Sequence, residues 1–198
     1  MDFDRFNKQL EFLTEIDKLK QVFRNTVLMD GSRKENDAEH TWHMAVCAML
    51  LAEYSNEKAL DMLRVLKMIM LHDVVEIDAG DTFAYDGKGH MDKAEREQKA
   101  ADRLFGLLPE DQKEEFRELW NEFEAHETPE AKHAHLADTF MPVYHNYRTK
   151  GQQWQKLNVT SDKVLERCRR HIRSGSEEIW EYMQDIIKDA VEKGYLKP

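Results

Sequence analysis

The sequence is poor in residues that interrupt helices or cross-link a chain, with 4 prolines, 8 glycines and 2 cysteines among 198 residues. This scarcity excludes a collagen-like or low-complexity chain, and two cysteines outside any paired motif exclude a disulfide scaffold. No apolar run approaches the roughly 18 residues that a membrane span needs. The opening residues, MDFDRFNKQLEF, lack the basic start and apolar centre of a signal peptide. We therefore expect a cytoplasmic protein with no membrane partner, in which Cys47 and Cys168 are reduced.

Basic residues are also fewer than acidic ones. The chain has 29 lysines and arginines against 39 aspartates and glutamates, which gives a formal net charge of −10. Nucleic-acid polymers and anionic membranes bind to broad basic faces, so this balance argues against both as partners. One or two arginines in a pocket can still hold a small phosphorylated ligand inside an acidic protein.

Helical periodicity extends along most of the sequence. Helices are predicted at 3–16, with a continuation through Leu19, Val22 and Phe23 towards a break at 30–32, and at 37–55, 57–73, 91–107, 109–126, 128–150, 161–173 and 179–191. Asp37 is the predicted N-cap of the second helix. Glycine and aspartate mark 77–90 as a loop, and 151–160 is predicted to be a polar connection. We predict an all-α bundle of roughly seven to nine helices, in a single domain that spans residues 1–198.

The segment MIMLHDVVEIDAGD, residues 68–81, ends an apolar run with an imidazole and several carboxylates. Buried charge is unfavourable unless it is paired or bound to a metal. Imidazole and carboxylate are the usual ligands of first-row divalent metals, and facing helices of a bundle can bring such ligands to one ion. Taken singly, His40, the adjacent His72 and Asp73, and Asp138 each have an ordinary structural explanation. Together they predict a metal site.

The order and identity of these four residues resemble a known signature. His40, then His72 and Asp73, then Asp138 is similar to the H…HD…D pattern of the HD-domain metal-dependent phosphohydrolase superfamily. The resemblance implies the compact multi-helix bundle of that superfamily. It covers about residues 10–150, and the helices at 160–193 are expected to pack on this core.

Longer motifs resemble the 5′-deoxynucleotidase branch, which contains bacterial nucleoside 5′-monophosphatases and the eukaryotic HD-domain-containing protein 2. RKENDAEH, residues 33–40, is similar to its R-x-E-N/S-x-x-E/D-H motif. Residues 72–81 match its H-D-x-x-E-x-x-x-x-D motif through Glu76 and Asp81, and EAKHAHLAD, residues 130–138, resembles its K-x-x-x-x-x-D stretch.

By this resemblance, one divalent ion of manganese, cobalt, magnesium, iron or zinc is held by His40, His72, Asp73 and Asp138. The implied reaction is removal of phosphate from a nucleoside 5′-monophosphate, and from a deoxyribonucleotide in particular, by attack of metal-bound water. General chemistry agrees, because an open metal site lowers the pKa of bound water towards ~7 and neutralises phosphoryl oxygens. A homodimer is common in this branch, and the amphipathic terminal helices leave room for one.

The resemblance also assigns roles around the ion. Glu76 is expected to accept a proton from the attacking water, and Asp81 to contact the substrate or that water. Arg24 is expected to orient the phosphate, with Arg33 as a second candidate, because a guanidinium presents a planar fork to phosphate. The alternatives are that Glu76 supports the ligands from outside, that Asp81 is a turn residue and that both arginines are surface charges. Asn25 follows Arg24 where some members carry a bulky aromatic that crowds the sugar 2′ position, so deoxyribose selectivity stays open.

Other polar residues leave further alternatives. His43 lies on the same helical face as the first predicted ligand and is interpreted as a core or supporting residue. His126, His133 and His135 precede the last predicted ligand, as the extra histidines of dinuclear HD proteins do. Asp78 is predicted to be solvated. The rival functions are an HD enzyme of another class (a phosphodiesterase, a nucleoside-triphosphate hydrolase or a dinuclear oxygenase), a non-catalytic protein that binds metal and nucleotide, and a purely structural helical protein.

Overall fold

A computed structural model of the chain describes residues 2–86, 89 and 91–198, so residues 87, 88 and 90 of the predicted loop lie outside the described residues. The helices are α1 (Phe3–Ile16), α2 (Asp37–Leu51), α3 (Met62–His72), α4 (Glu76–Ala79), α5 (Lys93–Phe105), α6 (Glu110–Ala125), α7 (Pro129–Arg148), α8 (Gln152–Lys156), α9 (Ser161–Gly175) and α10 (Glu177–Glu192). Two short strands, β1 (Phe23–Val27) and β2 (Lys34–Asn36), form an antiparallel hairpin. The prediction of an all-α protein is confirmed, with this hairpin as a small addition.

Local capping chemistry sets the start of several helices. Thr128 accepts a hydrogen bond from the Ala131 backbone N–H (3.2 Å) at the start of α7, as the Thr-Pro signal predicts. The cap of α2 differs from the prediction. Asn36 rather than Asp37 is the N-cap, and it forms a reciprocal capping box with Glu39. Asp37 is therefore the first residue inside the helix, and its side chain does not cap it.

The segment after α1 does not continue as a helix, so the predicted extension through Phe23 is wrong. Residues 17–21 form a tight 3₁₀ turn that buries Leu19, and the chain then extends into β1. The backbone of β1 pairs with β2 in a register that places Phe23 opposite Asn36. Gly31 makes the connecting turn with φ of 73°, a conformation that favours glycine. Cross-strand hydrogen bonds, which a local pattern does not reveal, override the helical periodicity here.

Two further connections also depart from their predictions. The predicted loop at 77–90 begins inside α4, a single turn that ends at Gly80, whose φ is 75°. The predicted polar connection at 151–160 contains α8, because Trp154 is buried in the core and the chain folds around it. The third helix starts later than predicted, after the N-cap Asp61.

Helix α7 lies between the two hydrophobic clusters of the described residues. Ala134, Ala137 and Met141 face a cluster built with α2, α3, α5 and α6, whereas Leu136 and Val143 face a second cluster with α8, α9 and α10. Helix α9 packs on α7, and α10 packs on α9. Every helix in the part of the chain that the structure describes is too short or too polar to cross a membrane.

Candidate metal centre

The four predicted ligands meet where α2, the end of α3 and the middle of α7 come together. His40 is buried in the first turn of α2, and its Nε2 lies 3.2 Å from Asp138 Oδ1 and 4.0 Å from Asp73 Oδ2. His72 ends α3, and Asp73 is the C-cap of that helix. One donor atom from each of His40, His72 and Asp73 lies within 4.8 Å of the other two. The structure therefore brings together residues that are separated by up to 98 positions.

The hydrogen bonds of His72 leave one ring nitrogen available. Its Nδ1 donates to the Ile69 carbonyl oxygen (2.7 Å), so Nε2 is the nitrogen that remains to face an ion. Nε2 lies 3.1 Å from Asp73 Oδ1, yet it is buried and has no hydrogen-bond partner among the described residues. A histidine whose other nitrogen is fixed by a backbone carbonyl is typical of a metal ligand. These donors, two imidazoles and two carboxylates, fit a divalent ion.

The electrostatics of His40 and Asp138 favour the forms that bind a cation, whereas His72 holds a proton that a bound cation would displace. Burial lowers the pKa of His40 to about 4, so its imidazole is neutral. Burial raises the pKa of Asp138, but the hydrogen bond with His40 and the charge of Arg167 outweigh it, so the net pKa is well below the usual value. Burial lowers the pKa of His72, but the charge of Asp73 reverses this and raises it to about 9. Positive charge is thus stabilised at the position of His72.

Arg24 on β1 reaches into this group, as the sequence predicts. Its side chain is only 12% exposed, and its Nη1 donates to Asp73 Oδ2 (2.9 Å) and Asp37 Oδ1 (3.4 Å). Its other nitrogens lie 3.9 Å from Asp138 Oδ1 and 4.0 Å from Glu35 Oε2. Burial disfavours the guanidinium, but the charge of Asp73 and the other carboxylates outweighs burial and raises its pKa. Arg24 is therefore a fixed cation beside the predicted ligands.

Two other predicted residues lie elsewhere. Arg33 is half exposed, and its Nη1 and Nη2 donate to the two oxygens of Glu39 at 2.8 and 2.7 Å. It does not line the cavity described below, so the structure does not bring it to the ligands as the resemblance implies. Asp78, predicted to be solvated, accepts hydrogen bonds from Arg103, including one of 2.7 Å from Nη2.

Glu76 and Asp81 both reach the site. Glu76 begins α4, is 6% exposed and lies with Asp37 and Asp73 in a set of carboxylates whose oxygens approach within 4.8 Å. Burial, strengthened by the charge of Asp73, raises the pKa of Glu76 well above its usual value and that of Asp37 to about 7. Asp81 lines the cavity described below, and burial raises its pKa. The sequence does not predict Asp37 as a site residue, because its position at the start of a helix indicates an N-cap.

A cavity of about 330 Å³ opens onto these residues, a volume within the range of small-molecule sites. Aromatic and imidazole side chains form the outer wall, namely Phe83, Tyr85, Phe123, His126, His135, Trp154 and His171. Acidic side chains outnumber basic ones in the lining, with Asp73, Glu76, Asp81, Glu97, Glu124 and Asp138 against Arg24, Lys93, Arg167 and Arg170. This excess of acidic side chains is a second feature that fits a bound divalent cation.

The C-terminal part of the chain contributes to the cavity in a way that sequence reasoning missed. Arg167, Arg170 and His171 of α9 line it, and Arg167 Nη2 lies 3.3 Å from Asp138 Oδ2. The spacing of these three residues in the sequence does not predict that they line the cavity, because their position depends on the packing of α9 against α7. Lys93 of α5 also lines the cavity, where it forms an ion pair with Glu97.

The histidines considered as extra ligands divide into two groups. His126 and His135 line the cavity, and His135 stacks on Phe123 with ring centroids 4.1 Å apart. His135 Nε2 donates to the Phe123 carbonyl oxygen (2.8 Å). His133 is turned away, since its Nε2 donates to the Ala48 carbonyl oxygen (2.9 Å) in the core.

Comparison with known proteins agrees with this geometry. The HD-domain family model matches residues 16–180. The chain is 34% identical to human 5′-deoxynucleotidase HDDC2 over 124 residues, 62% of this chain and 59% of that protein. It is 31% identical to 5′-deoxynucleotidase hdd1 of Schizosaccharomyces pombe over 134 residues, 65% of this chain and 66% of that protein. The chain therefore spans about three fifths of the length of the human relative.

Solved structures extend the likeness to nearly the whole chain. A "Predicted metal-dependent phosphohydrolase" from Magnetospirillum magnetotacticum MS-1 has a TM-score of 0.93 and 48% identity, over 98% of this chain and 96% of that one. A protein of Pyrococcus horikoshii OT3 shares the fold, with a TM-score of 0.62 and 22% identity over 93% of this chain and 99% of that one. On the family match and the Magnetospirillum likeness, the chain belongs to the HD-domain family.

Proposed function

We propose that this protein is a metal-dependent phosphohydrolase that removes phosphate from nucleoside 5′-monophosphates. The observation that carries the proposal is the convergence of His40, His72, Asp73 and Asp138 beside Arg24, with all of these except His40 lining one cavity. The human and fission-yeast relatives, both called 5′-deoxynucleotidases, support the same substrate class.

Under this proposal the two imidazoles and two carboxylates hold one divalent ion. A bound ion of this kind lowers the pKa of coordinated water and neutralises phosphoryl oxygens. The buried, unpartnered Nε2 of His72 and the ionised Asp73 and Asp138 are suited to hold it. Manganese, cobalt, magnesium, iron and zinc are all candidates, because mixed nitrogen and oxygen donors accept each of them.

The protein's own groups then orient the phosphate and move a proton. Arg24, held rigidly on the hairpin, donates to phosphoryl oxygens through its planar fork. Water attacks phosphorus and Glu76 accepts a proton from that water. The bond from phosphorus to the 5′ oxygen breaks, and the 5′ oxygen takes up a proton as the nucleoside leaves. Burial raises the pKa of Glu76, which makes its carboxylate a stronger base than an exposed glutamate. Asp81 lines the same cavity and contacts the substrate.

The outer wall of the cavity is suited to the nucleoside. Phe123 and His135 are stacked in the wall, and His171 stacks on His135 with ring centroids 5.1 Å apart. Aromatic and imidazole faces of this kind stack with bases. Asn25 lines the cavity beside Arg24 and is smaller than the aromatic that some relatives carry there. We therefore propose turnover of both ribonucleotides and deoxyribonucleotides, and expect Asn25→Trp to reduce ribonucleotide turnover selectively.

The test is phosphate release by protein stripped of metal and resupplied with one ion at a time. The substrates are ribo- and deoxyribonucleoside 5′-monophosphates, with nucleoside triphosphates and cyclic nucleotides to separate the rival HD activities. We expect release from monophosphates that depends on the metal and is lost in Asp73→Asn. Asp78→Asn is the matched control, since Asp78 lies nearby in sequence but is paired with Arg103 and does not line the cavity.

Two outcomes would contradict the proposal. One is no phosphate release from any monophosphate with any of the five metals. The other is equal activity in Asp73→Asn and wild type. Preferential release from triphosphates or cyclic nucleotides would assign the site to another HD class, and nucleotide binding without turnover would assign it to a non-catalytic protein.

We also propose that the protein is a homodimer. The exposed face of α1 supports this, because Phe3, Phe6, Leu10 and Leu13 are 69%, 38%, 44% and 59% exposed. Contiguous exposed apolar surface of this kind is typical of an interface. Light scattering should give twice the chain mass, and Phe3→Ser together with Leu13→Ser should shift the mass towards the monomer.

Finally, we propose that residues 1–198 form one domain that works in the cytoplasm. The packing of α9 and α10 on α7 supports one domain, and the two buried free cysteines, Cys47 and Cys168, suit a reducing compartment. A single cooperative unfolding transition is expected by both fluorescence and circular dichroism.

A further inference from the structure

A second group of metal-type donors lies on the other side of the His40 ring from the cavity. It consists of Glu35 on β2, His43 on α2 and His145 on α7, and one donor atom of each lies within 4.8 Å of the other two. None of the three lines the cavity. We propose that these three residues form a second site, separate from the HD centre, that binds a divalent transition-metal ion of the zinc type.

His145 gives the strongest sign of a ligand. It is 2% exposed, and its Nδ1 donates to the Val27 carbonyl oxygen (3.0 Å), which leaves the lone pair on Nε2. That Nε2 is buried and has no hydrogen-bond partner in the described part of the chain. Buried polar atoms are nearly always satisfied, so this nitrogen calls for a partner. A backbone carbonyl that fixes the opposite ring nitrogen is the usual support of a metal-binding histidine.

Glu35 supplies a carboxyl group to the same place. It is 3% exposed, and its Oε2 lies 3.8 Å from His40 Nδ1 and 4.0 Å from Arg24 Nε. Both distances are longer than a hydrogen bond. Burial of a carboxylate is unfavourable unless it is paired, and a cation placed between it and the imidazoles relieves that cost.

His43 completes the set and leaves a route to solvent. Its ring centroid is 5.4 Å from that of His145, and its other face stacks on Trp42, which is 66% exposed. Burial lowers the pKa of both histidines, so each is neutral at pH 7 and offers a lone pair. His43 is only half buried, so the ion and one or more waters can enter beside it.

The donor set defines the class of ion. Two imidazoles and one carboxylate match three-ligand zinc sites that keep a further position for water, and cobalt, nickel and copper accept the same donors. Magnesium and calcium prefer oxygen ligands and are poorly suited. Because Glu35 also faces His40 Nδ1, a cation here changes the field at a predicted ligand of the HD centre.

The test counts ions and does not depend on activity. Protein stripped of metal is titrated with Zn²⁺ or Co²⁺, desalted and analysed for bound metal, with the visible absorption of Co²⁺ as a second readout. We expect two ions per chain in wild type and one in His43→Ala and His145→Gln. Asp73→Asn should lose the other ion, so failure of this proposal can be told apart from failure of the proposed function. His133→Gln, another histidine of the core, is the matched control and should keep both ions.

The half-exposed His43 keeps the test decisive even if replacement of His145 prevents folding, which circular dichroism would reveal. One ion per chain in wild type that disappears in Asp73→Asn would overturn the proposal. So would two ions that both persist in His43→Ala. If His135→Gln removes the second ion instead, that ion belongs to a dinuclear centre in the cavity, and the proposal is wrong.

Discussion

Arg24 is the residue whose replacement tests the arrangement of the site most directly. It is 12% exposed and lies within 4.0 Å of four carboxylates, those of Asp73, Asp37, Asp138 and Glu35. Removing one partner of a buried charge network leaves the others uncompensated, at a cost of about 3–5 kcal/mol. Arg24→Ala, unfolded in the presence of a chelator, should therefore lose about 3–5 kcal/mol. That loss corresponds to a fall of about 6–20 °C in Tm for a chain of this size.

Activity measurements on Arg24 variants distinguish the role of its positive charge from the role of its planar guanidinium. Loss of a charged donor to the transition state typically lowers kcat about 10²–10³-fold. Arg24→Lys keeps the charge but not the planar fork, so it should recover most of the stability and little of the activity. Both quantities are measured on the same preparations, by thermal unfolding in chelator and by phosphate release in the optimal metal.

Arg5→Ala serves as the control, because Arg5 forms an exposed ion pair with Asp111 far from the cavity. An exposed pair contributes no more than about 1 kcal/mol. The reasoning fails if Arg24→Ala unfolds at the wild-type temperature, since the carboxylates would then not depend on the guanidinium. Full activity in Arg24→Lys would show that the fork is not used to orient the phosphate.

Three further replacements test single residues. Glu76→Gln should lower kcat about 10²–10⁴-fold with unchanged metal content, and equal loss of metal would show a ligand role instead. Arg33→Ala should leave kcat unchanged and cost at most about 1 kcal/mol in urea unfolding, and a tenfold loss of kcat would place it at the phosphate. Burial lowers the pKa of His135 from 6.5 to about 4. Between pH 6.5 and 4 the unfolded chain therefore binds a proton at His135 that the folded chain does not. The free energy of unfolding should fall as the pH decreases through this range. His135→Gln should flatten that part of the stability curve in chelator, and an unchanged slope would refute the assignment.

The fold was predictable wherever a local signal decides the outcome. Thr128 and the proline after it mark the start of α7, because a side-chain oxygen and a missing N–H are determined within one turn. The hairpin was not predictable in this way, because the strand at Phe23 depends on backbone partners thirteen residues away at Asn36. The same holds for α8, which forms around the buried Trp154.

In the candidate site, too, some features follow from local sequence and others depend on contacts between distant residues. His72 and Asp73 are adjacent at a helix end, so their motif determines their relative position almost completely. The choice between Arg24 and Arg33 depends on the hairpin, which turns the first towards the carboxylates and leaves the second paired with Glu39. Spacing within the sequence carries no information about that choice.

The residues that the motif predicts and those that it misses have different tasks. The motif residues His72, Asp73 and Asp138 line the cavity and, together with the adjacent His40, are suited to hold an ion. Arg167, Arg170 and His171 form another part of the cavity lining. These three belong to α9, outside the segment that resembles the family signature, and Arg167 contacts the same carboxylate, Asp138, that the motif assigns to the ion. We therefore expect α9 to influence which nucleotide the cavity accepts. Exchange of residues 161–175 between relatives should change nucleotide preference more than metal affinity, because the ion depends on α2, α3 and α7.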